Sequence, residues 1–336
     1  MERNLCKIIL LISIPVFVGA CLFSCEENRQ ASVVSYQNIP DPEHNKMDPL
    51  KVELGRKLFF DPNLSKDSTI SCGHCHQPQY GFGENVGLSK QGVSHKALLR
   101  NSPALINIAW AKGWFWDGGA KNIESLIFGP LTHEDEMGTD LKLLMKNINA
   151  SSFYSEEFKT AFGVDKVYSA HLARALAQYV RTLISNQSNY DLYLEGKYQF
   201  SEKEALGYKL YQKNCSHCHQ EPFFTDFDYH NNGLDTTFSD AHEAINKGRG
   251  RISRVKEDDL KYKTPTLRNI FATAPYMHDG RYQSIHDVLD HYEKMIQYYP
   301  TLDSTLKNGI QFKVSEKEQL IAFLGTLTDS TFLGLK

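Results

Sequence analysis

Of the seven cysteines in this 336-residue chain, none is spare for a structural disulfide. Cys6, Cys21 and Cys25 lie in an apolar N-terminal segment, and the other four belong to two copies of one hexapeptide: "CGHCHQ" (Cys72 and Cys75) and "CSHCHQ" (Cys215 and Cys218). A disulfide scaffold is therefore excluded. The chain also lacks a long basic run, and its formal net charge is only −3, which argues against nucleic acid as a partner. Sustained apolar–polar alternation is missing too, so a strand-rich fold is not expected. The apolar run Ile8–Ser24 is short for a spanning helix and is interrupted by Pro15 and Gly19, which fits a signal peptide better.

What is present divides the chain into four parts. Residues 1–25 read as a lipoprotein signal peptide: Arg3 and Lys7 precede the apolar run, and "LFSC" is followed directly by Glu26 and Glu27. Cys25 is the expected lipidation site, with Cys21 of "VGAC" as its rival, which places the body in the periplasm or cell envelope on a lipid anchor. Residues 26–47 are polar and read as a tether. Two α-helical units are expected at 48–195 and 196–336, each a cytochrome c-like domain with long irregular loops. An internal repeat supports the division: "ELGRKLFF" precedes the first hexapeptide and "ALGYKLYQ" the second, with "DPNLSKDST" as an extra loop in the first copy. Ser201/Glu204 and Ser315/Glu318 have the spacing of capping boxes. Leu172, Leu176, Tyr179, Val180 and Leu183 fall on one helix face.

Three chemistries use Cys-x-x-Cys. A four-thiolate zinc site draws its pairs from nearer together than these. A thioredoxin-type dithiol sits beside a βαβ pattern, which is absent. Covalent haem accounts for every letter: two thiols add to the porphyrin vinyl groups, and His76 or His219 ligates the iron axially. His74 and His217 read as spacers within the motifs. Export agrees, because c-type haem is attached outside the cytoplasm.

Between and after the hexapeptides stand "RNSP", "FWDGG", "GPL…EM", "TPTLRN" and "TAPYMHDGRYQSIHDVLDHY". With both haem motifs they cover about residues 50–330 in family order, and here the chain resembles the bacterial dihaem cytochrome c peroxidases and their MauG-type relatives. The resemblance implies a peroxide-reacting haem on His76 and an electron-accepting haem on His219, both haem c. It makes Trp116 the indole between the haems and Glu136 the distal catalytic carboxylate, with Glu134 as the neighbouring rival. It also implies one calcium ion held by Asn101, Thr273 and Pro275, oxygen donors that suit a hard cation.

The sequence departs from the family at three places. Leu126 stands where a distal glutamine is common. Val93 occupies the position of a displaceable distal histidine, leaving His95, two residues on, as the candidate for that role. For the second haem, Tyr292 replaces a distal methionine, as in the MauG-type branch; Met277 and His291 are its rivals, and His278 is expected near a haem edge. The expected function is reduction of H2O2 with electrons from a small cytochrome c or copper protein. The alternative is a MauG-like oxidase acting on a partner protein or organic substrate, and a plain electron-transfer cytochrome comes third. A homodimer would follow the family habit.

Overall fold

The computed structural model describes residues 39–237, 246–313 and 315–335. The expected signal peptide, both lipidation candidates (Cys25 and Cys21) and most of the expected tether lie outside these residues. Helices dominate: α1 (Pro49–Phe59), α2 (Cys72–Cys75), α3 (Ile123–Thr132), α4 (Leu141–Ala150), α5 (Ser152–Phe162), α6 (Ser169–Arg181), α7 (Asn189–Leu194), α8 (Glu202–Asn214), α9 (Arg249–Ser253), α10 (Ile285–Asp290) and α11 (Glu316–Gly325). Strand among the described residues is one antiparallel pair, β1 (Tyr229–His230) with β2 (Tyr262–Lys263).

The repeated Leu-Gly-x-Lys-Leu sequence has a packing cause. α1 packs on α6, and α8 on α11. A Cβ on Gly55 would lie 2.0 Å from the Ala175 carbonyl oxygen, and one on Gly207 1.9 Å from that of Gln319. In both copies glycine lets two backbones touch, and the leucines either side of Gly55 (Leu54 and Leu58) are buried in the seam. The apolar face of α6 is buried as its spacing requires, from Leu172 through Leu176, Tyr179 and Val180 to Leu183 beyond its end. The Ser201–Glu204 capping box forms at α8. The one expected at Ser315–Glu318 does not: Ser315 makes no capping bond, Glu316 accepts from the Lys313 amide, and Glu318 turns to Lys203 and His286.

The structure shows a second duplication, after the haem motifs. Asn107 and Asn269 are both left-handed and each opens a short 3-10 turn. The bridge Trp114–Ala120 matches Tyr276–Tyr282, and left-handed Phe115 matches left-handed Met277. "NIAWAKGWFWDGG" and "NIFATAPYMHDGR" are thus one structural unit used twice, and α3 and α10 follow at the same register. In this correspondence Trp116 and His278 are equivalent positions.

Two cores result. The first holds Leu58, Phe59, Leu131, Phe158 and the α6 face. The second holds Tyr190, Tyr211, Phe224, Ile285 and Phe323. Residues 43–47, within the expected tether, are docked: buried Asn45 donates to Glu124 Oε1, and the Gln178 amide donates to Asn45 Oδ1 and to the Lys46 carbonyl. Fully buried Arg268 of "TPTLRN" makes a fork to Asp191 at 2.8 Å on each side and donates to Pro222 O, fixing the loop that follows His219. Burial pushes the Asp191 carboxyl up, but the hydrogen bonds of Arg268 and Ser188 outweigh it and hold the group below its ordinary value.

Gly207→Ala forces a methyl group against the Gln319 backbone and should lower the unfolding free energy by about 1–3 kcal/mol, read as a shifted denaturant midpoint. An unchanged midpoint would mean that the α8–α11 contact yields freely.

Candidate active site

The two hexapeptides meet the chain in the same way. His76 follows α2, and its Nδ1 lies 2.8 Å from the Phe82 carbonyl oxygen. His219 Nδ1 lies 3.1 Å from the carbonyls of both Phe224 and Pro265. Each carbonyl accepts the Nδ1 proton, which leaves the Nε2 lone pair free and aimed away, the arrangement of an iron-ligating imidazole. Burial holds both imidazoles below the usual histidine range, so they stay neutral. Phe82 and Phe224 are both left-handed, an unusual backbone that serves to present these carbonyls.

The four motif cysteines are free thiols. Burial pushes Cys72, Cys75 and Cys215 up to about 12, the reverse of the depressed thiol a redox dithiol needs. Beside Cys215, Cys218 and His219 opens a chamber of about 240 Å³, walled by Trp116, Met277, Tyr292 and others. Lys263 stands in its wall, and burial pushes its ammonium down to about 8. A buried cation is costly without a counter-charge, and the carboxylates of a haem would supply one. Thiols, imidazole and lysine all fit that group.

What faces the two sites differs. Glu136 lies close enough to Cys72 and Cys75 to act on both thiols electrostatically, and burial holds its carboxyl above the ordinary value. The extra loop of the first copy fixes it there: Lys66 N donates to Met137 O (2.9 Å), and Thr139 Oγ1 to Leu64 O (2.5 Å). On the other side Val93 N donates to Glu136 O at 2.8 Å. Val93 packs against the first core with Cys72 and Leu126, whereas His95 is exposed on a left-handed turn. Glu134, the rival to Glu136, is exposed.

At the second site Tyr292 is enclosed beside Cys215 and Cys218, and burial pushes its phenol up to about 12. Asn232 hydrogen-bonds the Tyr292 side chain and also donates to Met277 Sδ at 3.4 Å, so the two rivals share one amide. His291 has both nitrogens occupied, by Tyr282 Oη (3.3 Å) and Asn232 O (2.9 Å), and so has none to offer a metal. His278 stacks on Tyr262 at 3.8 Å and burial pushes it down to about 3.

Asn101 ties the first half of the chain to the second within the His219 chamber. Its amide N donates to His278 O (2.9 Å), its Nδ2 to Pro275 O (2.7 Å), and its carbonyl accepts from Trp116 Nε1 (2.8 Å). The Trp116 carbonyl in turn accepts from Lys263 N. Of the calcium candidates, Asn101 and Pro275 are brought into direct contact, and Thr273 lines the same chamber as both. Three residues the motif reading passed over now matter. Lys263 precedes "TPTLRN" by sequence alone. Glu84, buried, accepts from Ser89 and Ser102 and neighbours Cys75. His230, paired with Asp226 and Asp303 and with Cys218 close by, is raised to about 11, Asp226 being the chief cause. Both of its nitrogens are held by carboxylates, so the Cys218–Asp226–His230 group buttresses the cysteine rather than forming a metal site.

Residues 49–199 match the family described as di-haem cytochrome c peroxidase. The methylamine utilization protein MauG of Methylorubrum extorquens is 35% identical over 300 residues, 87% of this chain and 82% of that one. Cytochrome c551 peroxidase of Nitrosomonas europaea is 32% identical over 280 residues, 82% and 79% of the two chains. A crystal structure of a MauG-like protein associated with microbial copper homeostasis superposes with a TM-score of 0.80 at 30% identity, covering 87% of this chain and 93% of that one. With both haem motifs held alike and the match running nearly end to end, the chain belongs to the di-haem cytochrome c peroxidase and MauG family, whose members carry two haems c.

Proposed function

We propose that the protein reduces H2O2 to water at the His76 site, with electrons that enter at the His219 site from a small cytochrome c or copper protein. The observation that carries this is Glu136, a half-buried carboxylate beside Cys72 and Cys75 on a segment clamped from both sides. When bound, the haem supplies an iron that takes up peroxide and exchanges electrons. Glu136 would take a proton from one oxygen of H2O2 and return it to the other, which departs as water. Val93 puts an apolar side chain where a displaceable ligand would stand, so the peroxide side stays open without prior reduction, and exposed His95 has no part in it. Leu126 offers no amide to share the work of Glu136. Trp116, bonded to Asn101 and Lys263, stands on the path between the sites.

The enclosure of Tyr292 supports the second reading, a MauG-like oxidase. We favour Tyr292 over Met277 as the inner ligand, because Tyr292 is enclosed beside both Cys215 and Cys218. A phenolate donor stabilises oxidised iron and would let the enzyme hold oxidising equivalents for a partner protein or organic substrate. Export and a lipid anchor at Cys25 belong to the same proposal and rest on the leader. So does a calcium ion on Asn101 Oδ1 and the Thr273 and Pro275 carbonyls, with the amide turned to replace its bond to Pro275.

Glu136→Gln should lower kcat about 10²–10⁴-fold in an assay of H2O2 with a reduced cytochrome, at unchanged haem content. Because the raised carboxyl must be ionised to accept a proton, wild-type kcat/KM should fall on the acid side at a pH above the ordinary glutamate value of 4.5, and this limb should vanish in the variant. Peroxide added without donor separates the two readings: a persistent oxidised optical spectrum, abolished by Tyr292→Phe, favours the oxidase, and rapid return to the resting spectrum the peroxidase. Calcium chelation should slow electron transfer between the sites in stopped-flow; an unaltered rate removes the ion from the proposal.

A further inference from the structure

The mechanism leaves one surface unused, the open edge of the chamber beside His219. His217, Pro265 and Thr305 line the chamber and are themselves exposed, so it reaches solvent between the second hexapeptide and residues 305–312. Leu306, Ile310 and Phe312 line it there too and are partly exposed, which gives the opening an apolar lip. Lysines adjoin that lip. Lys213 precedes Asn214, Lys307 follows Leu306 and Lys313 follows Phe312, and these three neighbours all line the chamber. Lys209 lies one helical turn before Lys213 on α8. All four lysines are exposed, and among the described residues none makes an ion pair.

Exposed lysines are ordinary on any protein surface, but the duplication sets these apart. In the first copy the charges of the repeated helix are matched: Arg56 forks to Glu53 at 2.7 and 2.8 Å, Lys57 binds Glu157 at 2.8 Å, and Asp61 accepts from Tyr154. In the second copy Ala205 stands for Glu53, Lys213 falls at the register of Asp61, and Lys209, the counterpart of Lys57, has no carboxylate. The acids near the mouth are committed elsewhere. Asp303 accepts from His230 (2.7 Å) and from the Thr305 amide, Glu316 from the Lys313 amide (2.7 Å), and Asp290 and Glu293 hold Lys317. The rim is thus basic in a chain whose formal net charge is −3. An apolar lip within unpaired charges of one sign suits a brief, steered encounter: apolar contact seats the partner, and the rim sets its approach and orientation.

We propose that this mouth is where the electron donor docks, and that it takes a small redox protein whose face around its own cofactor is rich in Asp and Glu. The surface presupposes the peroxide-reducing function proposed above and deepens it by naming the kind of partner its His219 site accepts. Lys213, Lys307 and Lys313 meet the donor's carboxylates around the rim, and Leu306, Ile310 and Phe312 meet its apolar centre. Each encounter passes one electron inward and exchanges no atoms, so two encounters and two protons from solvent convert one H2O2 to two H2O. A donor whose cofactor is ringed by lysine is repelled at the same surface.

The test mixes the haem-loaded protein with H2O2 and follows, by stopped-flow, the oxidation of two reduced probes: a lysine-faced cytochrome c, and the same cytochrome with its lysines succinylated, which turns that face acidic. The succinylated probe should show a kcat/KM about 10–10³-fold higher at low salt, and the advantage should shrink as added salt screens the charges. Lys213→Glu, Lys307→Glu and Lys313→Glu combined should lower kcat/KM for the succinylated probe about tenfold or more, raise it for the native probe and flatten the salt dependence, a reversal that misfolding does not produce. Equal rates for the two probes with the wild type, or a preference for the lysine-faced one, leave the rim to some other anionic occupant. Together with peroxide consumption supported by hydroxymethylferrocene, a small neutral reductant, that result overturns the docking surface alone, as does a salt dependence unaltered by the triple reversal. No peroxide consumption with either cytochrome or with hydroxymethylferrocene overturns both the surface and the function on which it rests.

Discussion

Everything at the two sites depends on a backbone carbonyl accepting a proton from an imidazole Nδ1. Phe82 does this for His76, and Phe224 with Pro265 for His219. The bond selects the tautomer, sets the ring plane and leaves one lone pair for a metal. Its partners are loop residues, so the loops need rigid support. Arg268 supplies it behind His219 through Asp191 and Pro222. The left-handed phenylalanines are the local strain that this support sustains.

Backbone holds of one kind on both imidazoles leave function to whatever lies opposite. The extra loop 61–69 distinguishes the first copy in length, and it is also what braces the Glu136 segment, through Leu64 and Lys66. Val93 closes the other side. The second copy has no such insertion before its motif, and its chamber is instead faced by Tyr292 and Met277 around Asn232. One duplication thus provides two similar sockets, and one short insertion sets a braced carboxylate segment beside one of them.

Much of this was legible in the residues. The haem motifs, the α6 face and the glycines of the repeated helix follow from local pattern, because spacing of 3.6 and a fixed hexapeptide survive without knowledge of the fold. Glu136, Trp116 and Tyr292 were found only through motif order. Arg268–Asp191 and Lys263 on Trp116 escaped, since each joins segments far apart in sequence or depends on what burial does to a charge. The second duplication also escaped: the loops between it and the haem motifs differ in length in the two halves, so the two repeats run at different offsets. The Ser315–Glu318 spacing misled because Ser315 has helical dihedrals rather than the extended backbone of a cap, and Glu318 turns to Lys203 and His286.

Asn101 carries a further consequence. One residue binds His278, Pro275 and Trp116 at once, through amide, side chain and carbonyl. A rocking motion of one lobe against the other would have to break the bonds to His278 and Pro275 together, so the gap that the proposed electron path crosses at Trp116 is clamped rather than hinged. Tunnelling across such a gap is set by a fixed length instead of an average over a breathing one, and the enzyme's internal electron exchange should therefore be insensitive to solvent viscosity.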